Sequence, residues 1–166
     1  MNIQRVVSHL LFTDWQVRQA FSPECLQAIE KAIHASEQFH EGEIRFAVEG
    51  GLDGPRLLKD QSPRERAVEV FSQLKVWDTE RNNGVLIYVL LADHAVEIVA
   101  DRGIHSKTGN ETWQAICLAM QAEFSRSAFQ SGALKGISAV AEAIGSHFPF
   151  SGVHINELSD APVLLT

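Results

Sequence analysis

Oxygen-bearing side chains flank two hydrophobic runs near the middle of the chain. Most of them precede the apolar run from Val85 to Ala92, and one follows the run from Ala95 to Val99. Carboxylate and amide oxygens are the ligands that Ca²⁺ and Mg²⁺ prefer. The sequence therefore predicts a hard divalent-cation site. The candidate ligands are Glu43, Asp78, Glu80, Asn82, Asn83 and Asp101.

Catalysis at this site would be phosphomonoester hydrolysis. A bound metal would activate water, and the guanidinium of Arg102 would hold the phosphate in a bidentate manner. Alternatively, Asp78 or Asp101 could be an aspartyl nucleophile. The candidate catalytic residues are therefore Asp78, Asp101 and Arg102. The seven histidines show no HxxxH or HxH spacing, so a histidine-based zinc site is not predicted.

Structural roles can also account for the same residues. Asp78 and Glu80 could be solvated loop residues, while Asn82 and Asn83 serve turn geometry. Asp101 could cap a neighbouring turn, leaving Arg102 to form an ordinary surface ion pair. The residue types alone leave both interpretations open.

The two hydrophobic runs have the pattern of a β-hairpin. Val85–Leu91 is continuously apolar, which favours a central strand buried on both faces. Asp93 and His94 form a predicted two-residue turn into a second strand, Ala95–Ala100. In a hairpin the outer ends of the strands are adjacent, so the polar residues should converge at one edge of a sheet.

The remaining helices, one further strand and the connecting segments complete the predicted order. Residues 3–20 contain a shorter helix, and 150–166 is an irregular tail. The apolar run Pro162–Leu165 could add a strand or cover the edge of the core. The remaining predicted elements are a helix from Ser22 to about Phe39, a strand Glu43–Glu49 with one polar face, a loop to Gln61, and helices Ser62–Lys75, Glu111–Phe124 and Phe129 or Ser131 to Phe148.

This order predicts a three-layer α/β/α sandwich in which helices flank a small mixed sheet. A helix connects the strand at 43–49 to the strand at 85–91, so these two should be parallel, and the end of the third strand should lie beside both. We expect residues 1–149 to form a single domain. Residues 150–166 would then be a C-terminal tail packed on the domain or on a partner.

Composition excludes several classes of protein. The net charge of −7 is unfavourable for nucleic-acid binding, which needs a basic face. No secretory signal or membrane span is predicted, so we expect a cytoplasmic protein without direct membrane insertion. It could be a monomer or weak homo-oligomer, with a protein partner that could itself be membrane-associated.

The motif order resembles the TPM domain, a family found in a thylakoid-lumen repair protein and in many bacterial proteins. The resemblance covers residues 15–149 and is most specific at Asn82-Asn83-Gly84 and the hairpin that follows. It extends to Arg102-Gly103-Ile104 and the helix that closes at His147-Phe148-Pro149. It implies the α/β fold, and activities described in the family include acid phosphatase and calcium binding.

The chain departs from the family pattern at two positions. Gln16, with Asp14 nearby, stands where family members carry an aspartate before the first helix, and Asp101-Arg102-Gly103 replaces a Gly-x-Gly. Both departures weaken a direct transfer of phosphatase activity. The sequence therefore favours a cation-binding or partner-binding module at the acidic edge. Metal-assisted acid phosphatase and pure protein interaction are the alternatives.

Overall fold

Twelve secondary-structure elements follow one another in the computed structural model, which describes residues 2–166. Eight are helices and four are strands in that described part of the chain. In chain order they are α1 (Ile3–Leu10), α2 (Asp14–Ala20), α3 (Pro23–Ser36), β1 (Glu43–Glu49), α4 (Gly54–Leu58), α5 (Pro63–Gln73), β2 (Gly84–Leu90), β3 (Ala95–Ala100), α6 (Arg102–Thr108), α7 (Asn110–Phe124), α8 (Phe129–Gly145) and β4 (Val163–Leu165).

The strands form one mixed sheet in the order β3-β2-β1-β4. β1 and β2 are parallel, with Glu43 opposite Gly84, and β2 and β3 are antiparallel, as predicted. β4 adds to the free edge of β1 in parallel orientation. The prediction that the end of β3 lies beside both other strands was wrong, because β2 separates β3 from β1.

Two hydrophobic cores cover the two faces of this sheet. Alternate residues of β1 and β2, such as Phe46 and Ile87, pack against α3, α7 and α8. The intervening residues, such as Leu86 and Tyr88, pack against α4 and α5. Helices therefore lie on both faces of the sheet, and the chain is a three-layer α/β/α sandwich.

Local capping explains why α3 and α5 begin where they do. The hydroxyl of Ser22 accepts a hydrogen bond from the backbone N–H of Cys25, and Pro23 occupies the first turn. Ser62 and Glu65 form a capping box at the start of α5. These signals span only a few residues, so they were readable in the sequence. Two short helices, α4 and α6, were not predicted.

The polar face of β1 is buried, which alternation alone did not indicate. Glu49 is 4% exposed and forms a two-point ion pair with the guanidinium of Arg66 on α5. The hydroxyl of Tyr88 donates to the same carboxylate at 2.6 Å. Arg45 donates to the carbonyls of Ser159 and Ala161 in the C-terminal segment. Glu49 and Arg45 thus both have polar partners, which lowers the cost of burying their charges.

The C-terminal segment returns across the amino end of β1 before β4 joins the sheet. The apolar run at Pro162–Leu165 therefore adds a strand, one of the two outcomes that the sequence suggested. Among residues 2–166, no helix has both the length and the apolar character needed to cross a membrane.

Candidate functional site

Backbone hydrogen bonds draw several predicted site residues to the amino end of β2. The carbonyl of Asn83 accepts from the N–H of Glu43, and the carbonyl of Gly84 accepts from the N–H of Asp101. The carbonyl of Asn82 accepts from the N–H of Ile104 in α6. The loop before β2 thus connects the start of β1 to the end of β3, although those two strands are not neighbours.

Close backbone approach at this edge requires two glycines. A Cβ atom on Gly84 would lie 2.1 Å from the carbonyl oxygen of Val76. A Cβ on Gly103 would lie 2.5 Å from the carbonyl oxygens of Arg81 and Asn82. The glycines of the Asn-Asn-Gly and Asp-Arg-Gly motifs therefore have a packing role that any larger residue would disrupt.

The side chains of Asn83 and Asp101 have structural partners at this edge. Asn83 is 1% exposed and donates from Nδ2 to the carbonyl of Glu41. Asp101 is the N-cap of α6, and its Oδ1 accepts from the N–H of Arg102 at 2.8 Å. One side-chain oxygen of each residue, Oδ1 of Asn83 and Oδ2 of Asp101, is buried without a hydrogen-bond partner.

Asp78, Glu80 and Arg102 lie at the surface. The N–H of Glu80 donates to the carboxylate of Glu157, and Asp78 is held through its backbone N–H by the carbonyl of Lys75. No hydrogen bond or ion pair within residues 2–166 joins the side chains of these three residues to one another. Their proposed catalytic and metal roles stay predictions.

Glu43 is a predicted ligand whose carboxylate is buried and hydrogen-bonded. Its side chain is 1% exposed, and its two oxygens accept from the N–H groups of Glu157 and Leu158 at 3.0 and 3.4 Å. Burial raises the pKa of Glu43 to about 7, although those two hydrogen bonds oppose the shift. This environment therefore disfavours an isolated charged Glu43 relative to an exposed glutamate.

The side chain of Glu43 lies close to those of Glu37 and His154, which were not predicted as site residues from the sequence. Nε2 of His154 lies 3.5 Å from Oε1 of Glu43 and 3.6 Å from Oε2 of Glu37. Glu37 is the C-cap of α3, and His154 lies in the segment after α8. All three side chains are about nine-tenths buried or more: Glu37 is 8% exposed, Glu43 is 1% exposed and His154 is 11% exposed. We call these three residues the inner triad.

A second group of the same composition adjoins the inner triad. Nδ1 of His34 lies 3.0 Å from Oδ2 of Asp160 and 3.7 Å from Oε2 of Glu37. His34 is 71% exposed, whereas Asp160 is 11% exposed. We call His34, Glu37 and Asp160 the outer triad. Both triads contain one imidazole and two carboxylates with ligand atoms within 4.8 Å of one another.

Glu37 belongs to both triads, and its pKa is strongly raised. Burial, and then the neighbouring carboxyl groups of Asp160 and Glu43, raise the pKa of Glu37 to about 8. Its Oε1 atom is buried and has no hydrogen-bond partner. Crowded carboxyl groups of this kind must take up protons or bind a cation to relieve their repulsion.

One part of this cluster was readable in the sequence. His34 and Glu37 are three residues apart on a predicted helix, a spacing that places both side chains on one face. His154 and Asp160 had no comparable signal, because they lie in an irregular segment without periodicity. Only the path of that segment across β1 brings them to α3.

The fold is that of a known class of α/β domain. The TPM domain family matches residues 16–143, so the chain belongs to the TPM domain family. Glu37 and Glu43 lie within the matched residues, whereas His154 and Asp160 lie beyond them.

Similar solved structures include one from Bizionia argentinensis and one from P. gingivalis. The NMR structure of BA42 protein from the psychrophilic bacterium Bizionia argentinensis is 30% identical, with a TM-score of 0.75. The match covers 87% of this chain and 95% of BA42. The N-terminal domain of a protein from P. gingivalis is 15% identical, with a TM-score of 0.59, covering 76% of this chain and 78% of that one. The second likeness shows the fold alone.

No curated protein matches the chain.

Proposed function

We propose that this TPM domain binds a divalent cation at the inner triad of Glu37, Glu43 and His154. The observation that carries the proposal is the convergence of two buried carboxylates on one imidazole nitrogen, at 3.5 and 3.6 Å. Within residues 2–166, no lysine or arginine forms an ion pair with either carboxylate. Buried charge without such a partner is costly, and a metal ion would supply the missing positive charge.

The spacing of the ligand atoms suits a small tetrahedral ion. Bond lengths of about 2.1 Å to Zn²⁺ place neighbouring ligand atoms about 3.4 Å apart. An octahedral Mg²⁺ ion would place them about 2.9 Å apart. The observed spacings of 3.5 and 3.6 Å are nearer the first value. A fourth position would be left for water, as in zinc sites that have three protein ligands.

The donor set supports the same assignment. Imidazole nitrogen suits Zn²⁺ and other transition-metal ions, whereas Ca²⁺ and Mg²⁺ prefer all-oxygen sites. The sequence indicated Ca²⁺ or Mg²⁺ because it identified Glu43 but not His154. With His154 included, we propose that Zn²⁺ binds more tightly than either.

Backbone hydrogen bonds to Glu43 preorganise its carboxylate for binding a cation. The N–H groups of Glu157 and Leu158 hold the Glu43 carboxylate in place, as outer-shell contacts do in metal sites. The same contacts tie the C-terminal segment to β1. Cation binding would therefore reinforce the attachment of that segment as well as the charge balance of the triad.

Thermal melting of chelator-treated protein with Zn²⁺, Mn²⁺, Ca²⁺ or Mg²⁺ tests this function. A ligand at about a hundredfold excess over its Kd stabilises the folded state by about 2.7 kcal/mol. That corresponds to a rise of several degrees in Tm for a domain of this size. We expect the largest rise with Zn²⁺ in wild type and its loss in His154→Ala and Glu43→Gln.

His147→Ala is the matched control, because His147 is exposed at the end of α8 and outside both triads. It should melt and respond to metal like wild type. No rise in Tm with any of the four ions at saturating concentration would refute the proposed function. An equal rise in His154→Ala would place the ion elsewhere.

Phosphomonoester hydrolysis has no comparable geometric support. Asp78 and Arg102 are both exposed and belong to different elements, and Asp101 is occupied as the cap of α6. The catalytic and partner-binding alternatives therefore stay predictions of the sequence. Cation binding at the inner triad is the function that the contacts favour.

A further inference from the structure

We propose that a cavity at the carboxyl end of β2 binds an uncharged heteroaromatic compound of about the size of a purine. This inference goes beyond cation binding at the inner triad, because the two sites lie at opposite ends of the sheet. Glu43 begins β1 and pairs with Gly84 at the start of β2. The cavity is lined instead by Val89, Leu90 and Leu91 at the other end of that strand. We call it the carboxyl-end cavity.

The carboxyl-end cavity has the size and position of a small-molecule site. Its volume is about 530 Å³, and ligand pockets usually measure about 300–1,000 Å³. β1 and β2 are parallel, and ligands of open α/β sheets bind outside the carboxyl ends of such strands. The cavity is bounded by the link between α1 and α2, the turn between β2 and β3, and the link between α7 and α8.

Three half-buried phenylalanines, Phe12, Phe124 and Phe129, line this cavity. The rings of Phe124 and Phe129 lie 5.3 Å apart at an angle of 30°, and both pack on the buried ring of Phe21. Phe12 packs against the end of β1, where a Cβ atom on Gly50 would lie 3.1 Å from its ring. These contacts fix the rings against the core, so a planar ligand would meet aromatic surfaces that are already in place.

The polar groups of the carboxyl-end cavity are mainly neutral amides. Three glutamines line it, namely Gln16, Gln19 and Gln121. The side chain of Gln19 has no hydrogen-bond partner within residues 2–166, and Gln16 uses only its Oε1 atom, which accepts from the N–H of Thr13. A free amide can donate and accept at once, which matches the paired donors and acceptors on the edge of a purine.

The side chains around the cavity favour an uncharged ligand. Within residues 2–166, no lysine, arginine, aspartate or glutamate lines it, and its one imidazole is that of the exposed His94. A phosphate or carboxylate would find no fixed cation there, and the net charge of −7 opposes an anion. By contrast, the cavity beside α4 and α5 is lined by charged residues such as Arg56, Lys59 and Glu69.

Two lining residues have a backbone conformation that favours glycine. His94, in the turn after β2, has a φ of 51°, and Ser127, in the link after α7, has a φ of 60°. This conformation costs about 1 kcal/mol or more for a residue with a Cβ atom, and such residues cluster at ligand sites. The carbonyl of His94 also accepts from Nε2 of Gln121 at 3.4 Å, which connects two walls of the cavity.

NMR chemical-shift mapping tests this site directly. Chelator-treated, ¹⁵N-labelled protein is titrated with adenine, adenosine, indole and caffeine, so that the result does not depend on cation binding at the inner triad. We expect at least one of these compounds to cause saturable shifts confined to amides around the carboxyl-end cavity, with a Kd of about 1 mM or lower. Adenosine monophosphate, which adds a charged phosphate, should bind no more tightly than adenosine.

Substitutions in the cavity wall should weaken this binding. Phe129→Leu removes an aromatic surface but keeps an apolar side chain, and it should raise the Kd about fivefold or more. Gln19→Ala removes one amide and should raise the Kd about two- to tenfold. Gln130→Ala is the matched control, because Gln130 is exposed and does not line the cavity. Melting curves without ligand would verify that each variant is folded, and Gln19, which is exposed, can be replaced without loss of core packing.

Each outcome supports or overturns the proposal. Localised, saturable shifts that Phe129→Leu or Gln19→Ala weakens would support it, whether or not the inner triad binds a cation. No saturable shift with any of the four compounds up to their solubility limits would overturn it. Shifts spread over the surface, or an unaltered Kd in both variants, would also overturn it. Tighter binding of adenosine monophosphate than of adenosine would contradict an uncharged ligand.

Discussion

Glu43 and His154 meet in space although they are far apart in the chain, with Oε1 of the glutamate 3.5 Å from Nε2 of the histidine. Glu43 begins β1, and His154 belongs to the segment that returns after α8 to place β4 against the same strand. The path of this segment therefore creates the candidate metal centre and closes it against solvent.

The pH dependence of stability should reveal the crowded carboxyl groups in metal-free protein. The pKa values of Glu37 and Glu43 are raised to about 8 and about 7, whereas unfolded glutamate titrates at about 4.3. The folded state thus binds more protons between these values, and the free energy of unfolding falls as pH rises through about 7 to 8. Urea titrations from about pH 5 to about pH 8.5 measure this fall.

Glu37→Gln should flatten that pH dependence, because its amide cannot ionise. Glu30→Gln is the control, since Glu30 lies exposed on the same helix. His34 and His154, which contact Glu37, and Asp160, which raises its pKa, are unchanged in both variants. If the free energy of unfolding fell equally steeply with pH in wild type and in Glu37→Gln, Glu37 would not be a source of the pH dependence.

Loss of Arg66 should strongly destabilise the protein. Arg66 forms the two-point ion pair with Glu49, and both side chains are almost fully buried, at 6% and 5% exposure. Arg66→Met would leave a buried carboxylate with only Tyr88 as partner, which should cost about 3–5 kcal/mol. Chemical denaturation gives this value.

Two comparison variants bracket that effect. Tyr88→Phe removes one hydrogen bond to the charged Glu49 and should cost about 1.5–3 kcal/mol. Arg126→Met breaks an exposed ion pair to Glu123 and should cost less than about 1 kcal/mol. A small loss in Arg66→Met, similar to that in Arg126→Met, would show that the buried pair contributes little.

Asp93 should hold α1 on the domain. Its carboxylate accepts hydrogen bonds from the guanidinium of Arg5 and from Nε2 of His9, whose Nδ1 accepts from the N–H of Leu52. Burial disfavours the charged form, but the hydrogen bonds from Arg5 and His9 outweigh it and lower the pKa of Asp93. The stabilisation is therefore present above about pH 4 and is lost as pH falls through the lowered pKa.

Asp93→Asn should therefore raise the hydrogen-exchange rates of α1 amides at neutral pH. Amides of the sheet should be protected as in wild type, because the contacts of Asp93 lie outside it. Asp14→Asn, at an exposed position of α2, should leave α1 unchanged. Unaltered exchange in α1 of Asp93→Asn would mean that other contacts hold this helix.

Asp101→Ala distinguishes a helix cap from a metal ligand. Asp101 caps α6, so the variant should lose about 1 kcal/mol of stability. Its cation stoichiometry should equal that of wild type, because Asp101 belongs to neither triad. Asp101→Ser should recover most of the stability, since serine is also a good cap. A bound ion lost in Asp101→Ala would instead support the sequence-predicted role as ligand.

Local signals were sufficient to predict most elements but not the shortest ones. Ser22 and Ser62 mark helix starts through contacts within one turn, and the continuous apolar character of β2 marks a central strand. Helices α4 and α6 contain five and seven residues, too short for an apolar period to appear. The segment that contains α4 was therefore interpreted as loop, and no element was predicted at α6.

The amino-acid sequence by itself determined the TPM resemblance, the parallel and antiparallel pairings and the position of Glu43 at the start of β1. Each of these depends on hydrophobic period or on contacts within a few residues. Only the tertiary structure decided that Glu37, His34, His154 and Asp160 surround that position. The irregular C-terminal segment has no periodic pattern, and the long-range packing of β4 on β1 sets where its side chains lie.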